Sequence, residues 1–417
     1  MKSVPPQQSE TITTGDDQNR PVQNTPRLGA LDWIAIILLV AGGICVGTGL
    51  LPTSDADDIM RRIWPILLFL ATVLVLAELT AQAGLFNVIA ARLARSAGGK
   101  FAALFGLCVV FASVTTITLN LDTTAVLLTP VMLALAVSLD VPPLPLAMTT
   151  TWLANTASLL LPVSNLTNLL AANRVALAPV EFASRMWLAQ AGSIAATGLF
   201  LWLFYWNRRS RGGAARYVPP PPFRAPDAVL LRVAALACVS FIGAILGGVP
   251  LQVASAIAMV VLLVAFAIRR RRELRWSLIP WRLPVFVTGL FLVMQTISLH
   301  LLNPVLSTLI GTSGGADGTF RAAAVGAGLA NIVNNLPAYL SGEAVVPLAN
   351  HTQLLGLLIG TNIGPIITPW ASLATLLCYE RCRSAGVRVP MRTFVLTGAG
   401  LAVTGLAVSV AALLITG

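Results

Sequence analysis

Asn120-Leu121-Asp122-Thr123-Thr124 is the stretch on which the reading of this chain turns. Asp122 and Asp140 are the only charged side chains between Phe101 and Asn173. Asp140 precedes Val141-Pro142-Pro143 and reads as a turn at a membrane surface, whereas Asp122 lies between two apolar runs, Phe101–Thr118 and Ala125–Ala136. A carboxylate at membrane depth is costly, so a functional role is its default reading. The plain alternative is a helix N-cap facing water, because Asp followed by Thr-Thr-Ala-Val starts a helix well. The charge-free flanks favour function.

The whole chain supports a membrane setting. Hydrophobic residues make up 56% of it and charged ones 10%, which excludes a soluble domain and predicts an all-α polytopic membrane protein. The net charge of +11 suggests nucleic acid only until its arrangement is read. The arginines form short clusters between apolar runs, as the positive-inside rule requires, so no nucleic-acid partner is expected. Cys45, Cys108, Cys238, Cys378 and Cys382 lack metal-ligand or redox spacing, and His300 and His351 are far apart. No metal, disulfide or cofactor is expected. Residues 1–30 are polar and read as a disordered cytoplasmic tail.

From there the chain divides into a first membrane repeat (31–207), a basic and proline-rich cytoplasmic linker (208–227), and a connecting helix with a second membrane repeat (228–417). Leu31–Leu51 and Ile63–Ala91 read as the first spans. The two apolar runs around Asp122 read as a re-entrant hairpin. A run from Leu144 to Leu170 follows, interrupted by Asn155, Pro162, Ser164, Asn165 and Asn168. Such interruption marks a broken transmembrane helix. In the second repeat, Thr319–Ala349 is broken at Asn334-Asn335-Leu336-Pro337 and is too short for two full crossings. It too reads as a re-entrant hairpin, and Gln353–Tyr379 reads as the second broken helix. With both hairpins re-entrant and the N-terminus cytoplasmic, the clusters after Arg92, Arg208, Arg269 and Arg381 all fall inside.

A single shift aligns Asn155 with Asn362, Pro162 with Pro369, Asn165 with Ser372 and Leu166 with Leu373. Inverted repeats with broken helices are how secondary transporters build a midplane site. Each asparagine alone is as well explained by a bond between helices. As a set, Asn120, Asp122 and Thr123 at one tip, Asn334 and Asn335 at the other, and Asn155, Thr156, Ser158, Ser164, Asn165, Asn168, Asn362, Gly364, Thr368 and Ser372 at the breaks predict a solute and ion site. Thr368-Pro369 has the form of an N-cap and first-turn proline. Asp122 is the expected proton carrier and Glu78, within a span, the second. Glu343 follows Ser341-Gly342 on the second hairpin and is expected to approach the outer surface. The two tips are expected to meet, with Asp122 beside Asn335.

These motifs resemble the arsenite and antimonite efflux permeases of the ion transporter superfamily, which also holds sodium/proton antiporters and dicarboxylate carriers. The resemblance rests on Asp122-Thr123-Thr124-Ala125-Val126-Leu127-Leu128-Thr129-Pro130, Val163-Ser164-Asn165-Leu166-Thr167-Asn168, Asn334-Asn335-Leu336-Pro337 and the run from Gly364-Pro365 through Thr368-Pro369 to Ser372. Relatives often carry aspartate where this chain has Asn155 and Asn362, and Asn-Asp where it has Leu121-Asp122. That loss of negative charge weakens a sodium site. The resemblance therefore implies proton-coupled efflux of a small inorganic solute, arsenite or antimonite, across a bacterial inner membrane. A sodium/proton antiporter or a carboxylate carrier is the alternative within the superfamily, and an enzyme is not expected. A homodimer and a soluble ATPase partner remain open. A thiol trap for the solute would need cysteines at the hairpin tips, where none occurs.

Overall fold

A computed structural model describes residues 30–213 and 215–416, so the expected tail lies outside the described residues except for Ala30. The first helices are α1 (Ala30–Gly47), α2 (Thr53–Gln82) and α3 (Leu85–Ser96). The expected span Ile63–Ala91 is divided between α2 and α3, because Gly84 takes φ +82°, a conformation that glycine adopts without steric cost. Arg92 and Arg95 of α3 are exposed. Next come α4 (Phe101–Leu119) and α5 (Leu121–Ser138), then α6 (Leu144–Thr156), α7 (Leu166–Arg174) and α8 (Pro179–Phe204). The second half holds α9 (Ala228–Leu246), α10 (Leu251–Arg269), α11 (Arg282–Ile310), α12 (Gly315–Val333), α13 (Asn335–Val345), α14 (His351–Ile363), α15 (Leu373–Ser384) and α16 (Met391–Thr416). Among the described residues eight helices are long and apolar enough to cross a membrane, and the fold is that of an all-α polytopic membrane protein.

One succession of elements occurs twice. A helical hairpin (α4–α5, α12–α13) leads to an interrupted span (α6 and α7, α14 and α15) and then a long helix (α8, α16). Its irregular points agree in backbone angle. Asn120 has φ 89°, ψ 165° and Asn334 has φ 89°, ψ 158°. Leu161 and Thr368 match at φ −119°, ψ 150° and φ −116°, ψ 144°. Asn165 and Ser372, the residues that open α7 and α15, are likewise both extended. Moreover α6 lies against α15 and α14 against α7. The entry half of each interrupted span therefore sits beside the exit half of the other, as two oppositely directed spans would place them.

Each hairpin is bonded near its tip to the break of its own repeat. Ser164 Oγ donates to the Ile117 carbonyl at 2.9 Å, and Trp370 Nε1 donates to the Asn331 carbonyl at 2.9 Å. In each repeat the acceptor lies three residues before the tip asparagine. Although α4 and α5 are each apolar and long enough to cross alone, their shared tip is thus fastened at the level where α6 gives way to α7. Within α5 a π-helical turn occupies Thr124–Leu128, and in α11 another occupies Ser298–Leu302. Pro130 and Pro304 each stand two residues past the end of the turn; neither has an N–H to continue the ordinary ladder.

Small residues let α12 and α14 close on each other. Gly356, Gly360 and Gly364, one per turn, face Thr319, Ala323 and Ala327, the close-approach pattern that membrane helices use in place of hydrophobic burial. The linker is also fastened. Tyr217 N–H donates to the Gly99 carbonyl at 3.1 Å and its hydroxyl to the Ala94 carbonyl at 2.6 Å. The Arg211 guanidinium stands 4.5 Å from the centre of the Phe101 ring, so the linker grips the base of the first hairpin.

Candidate functional site

The two breaks are joined by side chains that alternate between repeats. Asn362 Oδ1 accepts from Thr167 Oγ1 at 2.7 Å, while Asn362 Nδ2 donates to Asn168 Oδ1 at 2.7 Å. Asn168 Nδ2 also donates to the carbonyls of Ser158 and Leu161. On the other side of the crossing, Asn155 Nδ2 donates to Thr375 Oγ1 at 3.1 Å. All of these residues are buried, where an amide without partners would cost on the order of 1–3 kcal/mol. Asn168 and Asn362 therefore hold the two broken spans together.

Several other residues singled out from sequence also serve the frame. The Thr156 carbonyl accepts from Gln190 and Ser193, and its hydroxyl from Thr197. Ser158 Oγ donates to the Asn155 carbonyl at 2.6 Å. Asn331, which sequence reasoning passed over, donates to the Gly364 carbonyl and accepts from both the N–H and the hydroxyl of Thr368. It stands three residues ahead of Asn334, and only its reach to the second break sets it apart. Thr167, Thr375 and Gln190 were missed for the same reason, being common helix residues until their partners across the fold are known.

Beside this frame lies a cavity of about 860 Å³. Asp122, Thr123, Val126 and Leu127 line it from α5, Glu78 and Gln82 from α2, and Leu373 and Leu377 from α15. Arg270, Arg275 and Arg282 line it as well. Leu121 and Ala125 pack against Ala374 and Cys378, which seats the first hairpin tip on the start of α15. Among the described residues no hydrogen bond or ion pair engages the Asp122 carboxylate, whereas Glu78 Oε1 accepts from Gln82 Nε2 at 3.1 Å. Thr123 Oγ1, Asn155 Oδ1, Asn165 Nδ2 and Ser372 Oγ are buried without partners. Of these Thr123 lines the cavity, whereas Asn155, Asn165 and Ser372 do not. Asp122 and Glu78, proposed separately from sequence, are thus brought to one cavity.

The second tip is placed differently. Neither Asn334 nor Asn335 lines this cavity. Asn334 Nδ2 donates to the Trp370 carbonyl at 3.1 Å, and Asn335 Oδ1 accepts from Leu336 N–H. Each tip engages its own break, and the cavity reaches the first tip alone. Glu343 is 3% exposed and ion-paired with Arg62, a partner that sequence reasoning did not foresee. As for thiols, tertiary packing brings Cys378 behind the first tip, 3.3 Å from Thr129 Oγ1, but it does not line the cavity.

Asn120 carries the first tip in a conformation that side chains rarely adopt, and its Oδ1 accepts from Thr123 N–H at 3.0 Å. Replacement by alanine removes that cap, worth about 1 kcal/mol, and leaves a methyl-bearing residue in strain of about 1–3 kcal/mol. Asn120→Gly removes the cap without the strain. Thermal unfolding in detergent is expected to rank wild type above Asn120→Gly and both above Asn120→Ala; an alanine variant as stable as wild type would contradict the strained tip.

Comparison with known proteins agrees with this architecture. The chain is similar to an arsenical pump membrane protein of Yersinia enterocolitica, at 27% identity over 93% of this chain and 94% of the relative. A protein of the same name from Escherichia coli is 27% identical over the same shares. In fold it is similar to the Alcanivorax borkumensis YdaH transporter, whose crystal structure has been described as revealing an unusual topology, with a TM-score of 0.54, 14% identity, and coverage of 92% of this chain and 97% of that one. The family model described as citrate transporter matches residues 27–353, and the chain accordingly belongs to that family of membrane transporters.

Proposed function

We propose that the protein is a secondary carrier that expels arsenite or antimonite from the cytoplasm in exchange for protons, with Asp122 as the principal proton carrier and Glu78 as the second. The observation that carries the reading is the unpartnered Asp122 carboxylate lining a cavity that Leu373 of the second break also lines, beside crossing segments, 155–168 and 362–375, that contain no Lys or Arg. Near neutral pH arsenite is an uncharged trihydroxide. The Thr123 hydroxyl and the Gln82 amide that line the cavity suit such a solute, whereas a citrate trianion held beside Asp122 would meet the Asp122 and Glu78 carboxylates. The similarity to arsenical pump membrane proteins along nearly their full length supports the same choice. Arg270, Arg275 and Arg282 also line the cavity, and the positive-inside rule assigns their cluster to the cytoplasm of a bacterial inner membrane.

Those arginines favour a second reading, a carboxylate carrier, in keeping with the family's description. Flux in proteoliposomes separates the two. With an imposed pH gradient, arsenite and antimonite are expected to move uphill at a rate indifferent to sodium, and citrate no faster than in empty liposomes. Uphill citrate movement without arsenite movement would replace the first reading by the second.

A further inference from the structure

A second polar cluster lies far from the cavity. Along α2, Arg62 precedes Glu78 by sixteen residues, about 24 Å of helix at 1.5 Å per residue. The Arg62 guanidinium, partly exposed, pairs with the buried Glu343 carboxylate of α13. Tyr339, one turn back on α13 and fully buried, lies in the electrostatic neighbourhood of Glu343, Arg62 and Arg174. Arg174 ends α7. Within this cluster Arg174 Nε has no hydrogen-bond partner among the described residues.

We propose that Arg62 and Glu343 form the gate that closes the end of the transport path opposite the cavity, and that they part when the carrier opens on that side. The inference rests on the chain being a transporter and not on which solute it carries. A buried ion pair is a weak source of stability compared with apolar packing of the same volume, so stability alone gives little reason for placing one here. A contact that separates in each cycle has different requirements. Both partners must be satisfied together when the path is closed and hydrated when it is open, which charged groups achieve and packed apolar groups do not. Three residues beyond Arg62, Pro65 lies inside α2; it cannot donate to the Arg61 carbonyl, and a helix bends most readily at such a point. The three elements that meet here all run away from the crossing, α2 toward its start and α7 and α13 toward their ends. Their parting would connect the crossing to the far face.

The test reads access to the cavity as well as flux. Leu127→Cys lines the cavity and serves as reporter, with the protein lacking this substitution as control for the native cysteines. In sealed vesicles, a membrane-impermeant maleimide applied to the far side is expected to label Leu127→Cys at least tenfold faster when Arg62→Gln or Glu343→Gln is also present. Unchanged far-side labelling in both variants would overturn the gate. Because a variant could fail to fold, Arg62→Cys with Glu343→Cys, joined by a short bis-maleimide in folded protein, supplies a second arm. Joining is expected to abolish transport of whichever solute the unjoined variant carries, and transport at the unjoined rate would overturn the proposal. If arsenite proved not to be the solute, the labelling result would still stand or fall by itself.

Discussion

Asp122→Asn is expected to reduce proton-driven transport to the level of empty liposomes while leaving a folded, monodisperse protein. The substitution preserves size and most hydrogen-bonding capacity, and no ion pair or hydrogen bond among the described residues depends on the carboxylate. Only the ability to gain and lose a proton disappears. Asp122→Glu retains that ability and is expected to keep partial activity with an altered pH profile. Glu78→Gln is expected to be milder, since Gln82 donates to Glu78 at 3.1 Å and a second carboxylate remains. Solute flux under an imposed pH gradient, with size-exclusion profiles of each variant, checks all three. Wild-type flux in Asp122→Asn would remove the proposed carrier from the mechanism, and an aggregated variant would show that the carboxylate serves folding.

The second large effect is expected at a residue with no part in chemistry. A Cβ placed on Gly360 would come within 2.1 Å of the Ala323 carbonyl oxygen, and the obstructing atoms are backbone. Two helix axes would have to separate, and overpacking a close-packed contact costs about 1–3 kcal/mol, occasionally more. Gly360→Val is therefore expected to lower the yield of folded protein severely and to lower the melting temperature of whatever folds. Gly328 is the control. It lies in α12 with open space around its added Cβ, and Gly328→Ala is expected to be neutral or slightly stabilising, because alanine is the better helix former by about 1 kcal/mol. Equal melting temperatures for the two variants would show that the glycine stripe does not set the distance between α12 and α14.

Such contrasts mark where sequence reading succeeds. Asp122 stood out because charge is absent on both sides of it, and depletion of charge reports membrane depth without reference to any partner. The breaks at Asn155–Asn168 and Asn362–Ser372 stood out because proline and asparagine interrupt apolar runs, a property of the local backbone. Both hairpins and both broken spans could thus be read directly along the chain. The division of Ile63–Ala91 into α2 and α3 was less legible, since one glycine conformation decided it and glycine within an apolar run is compatible with an unbroken helix.

What the sequence by itself determined was the membrane fold, the twofold succession of hairpin and broken helix, and the charge-free setting of Asp122, all of which follow from local composition and periodicity. Only the tertiary structure decided which polar groups spend their bonds on the frame and which remain free. It made Asn168 and Asn362 partners across the crossing, brought Glu78 to the cavity of Asp122, and paired Glu343 with Arg62, 281 positions away. The physical reason is that a side chain's partner depends on the rotation and crossing of whole helices. Those are set by packing such as the close approach of Gly360 to Ala323, and spacing along the chain does not record them.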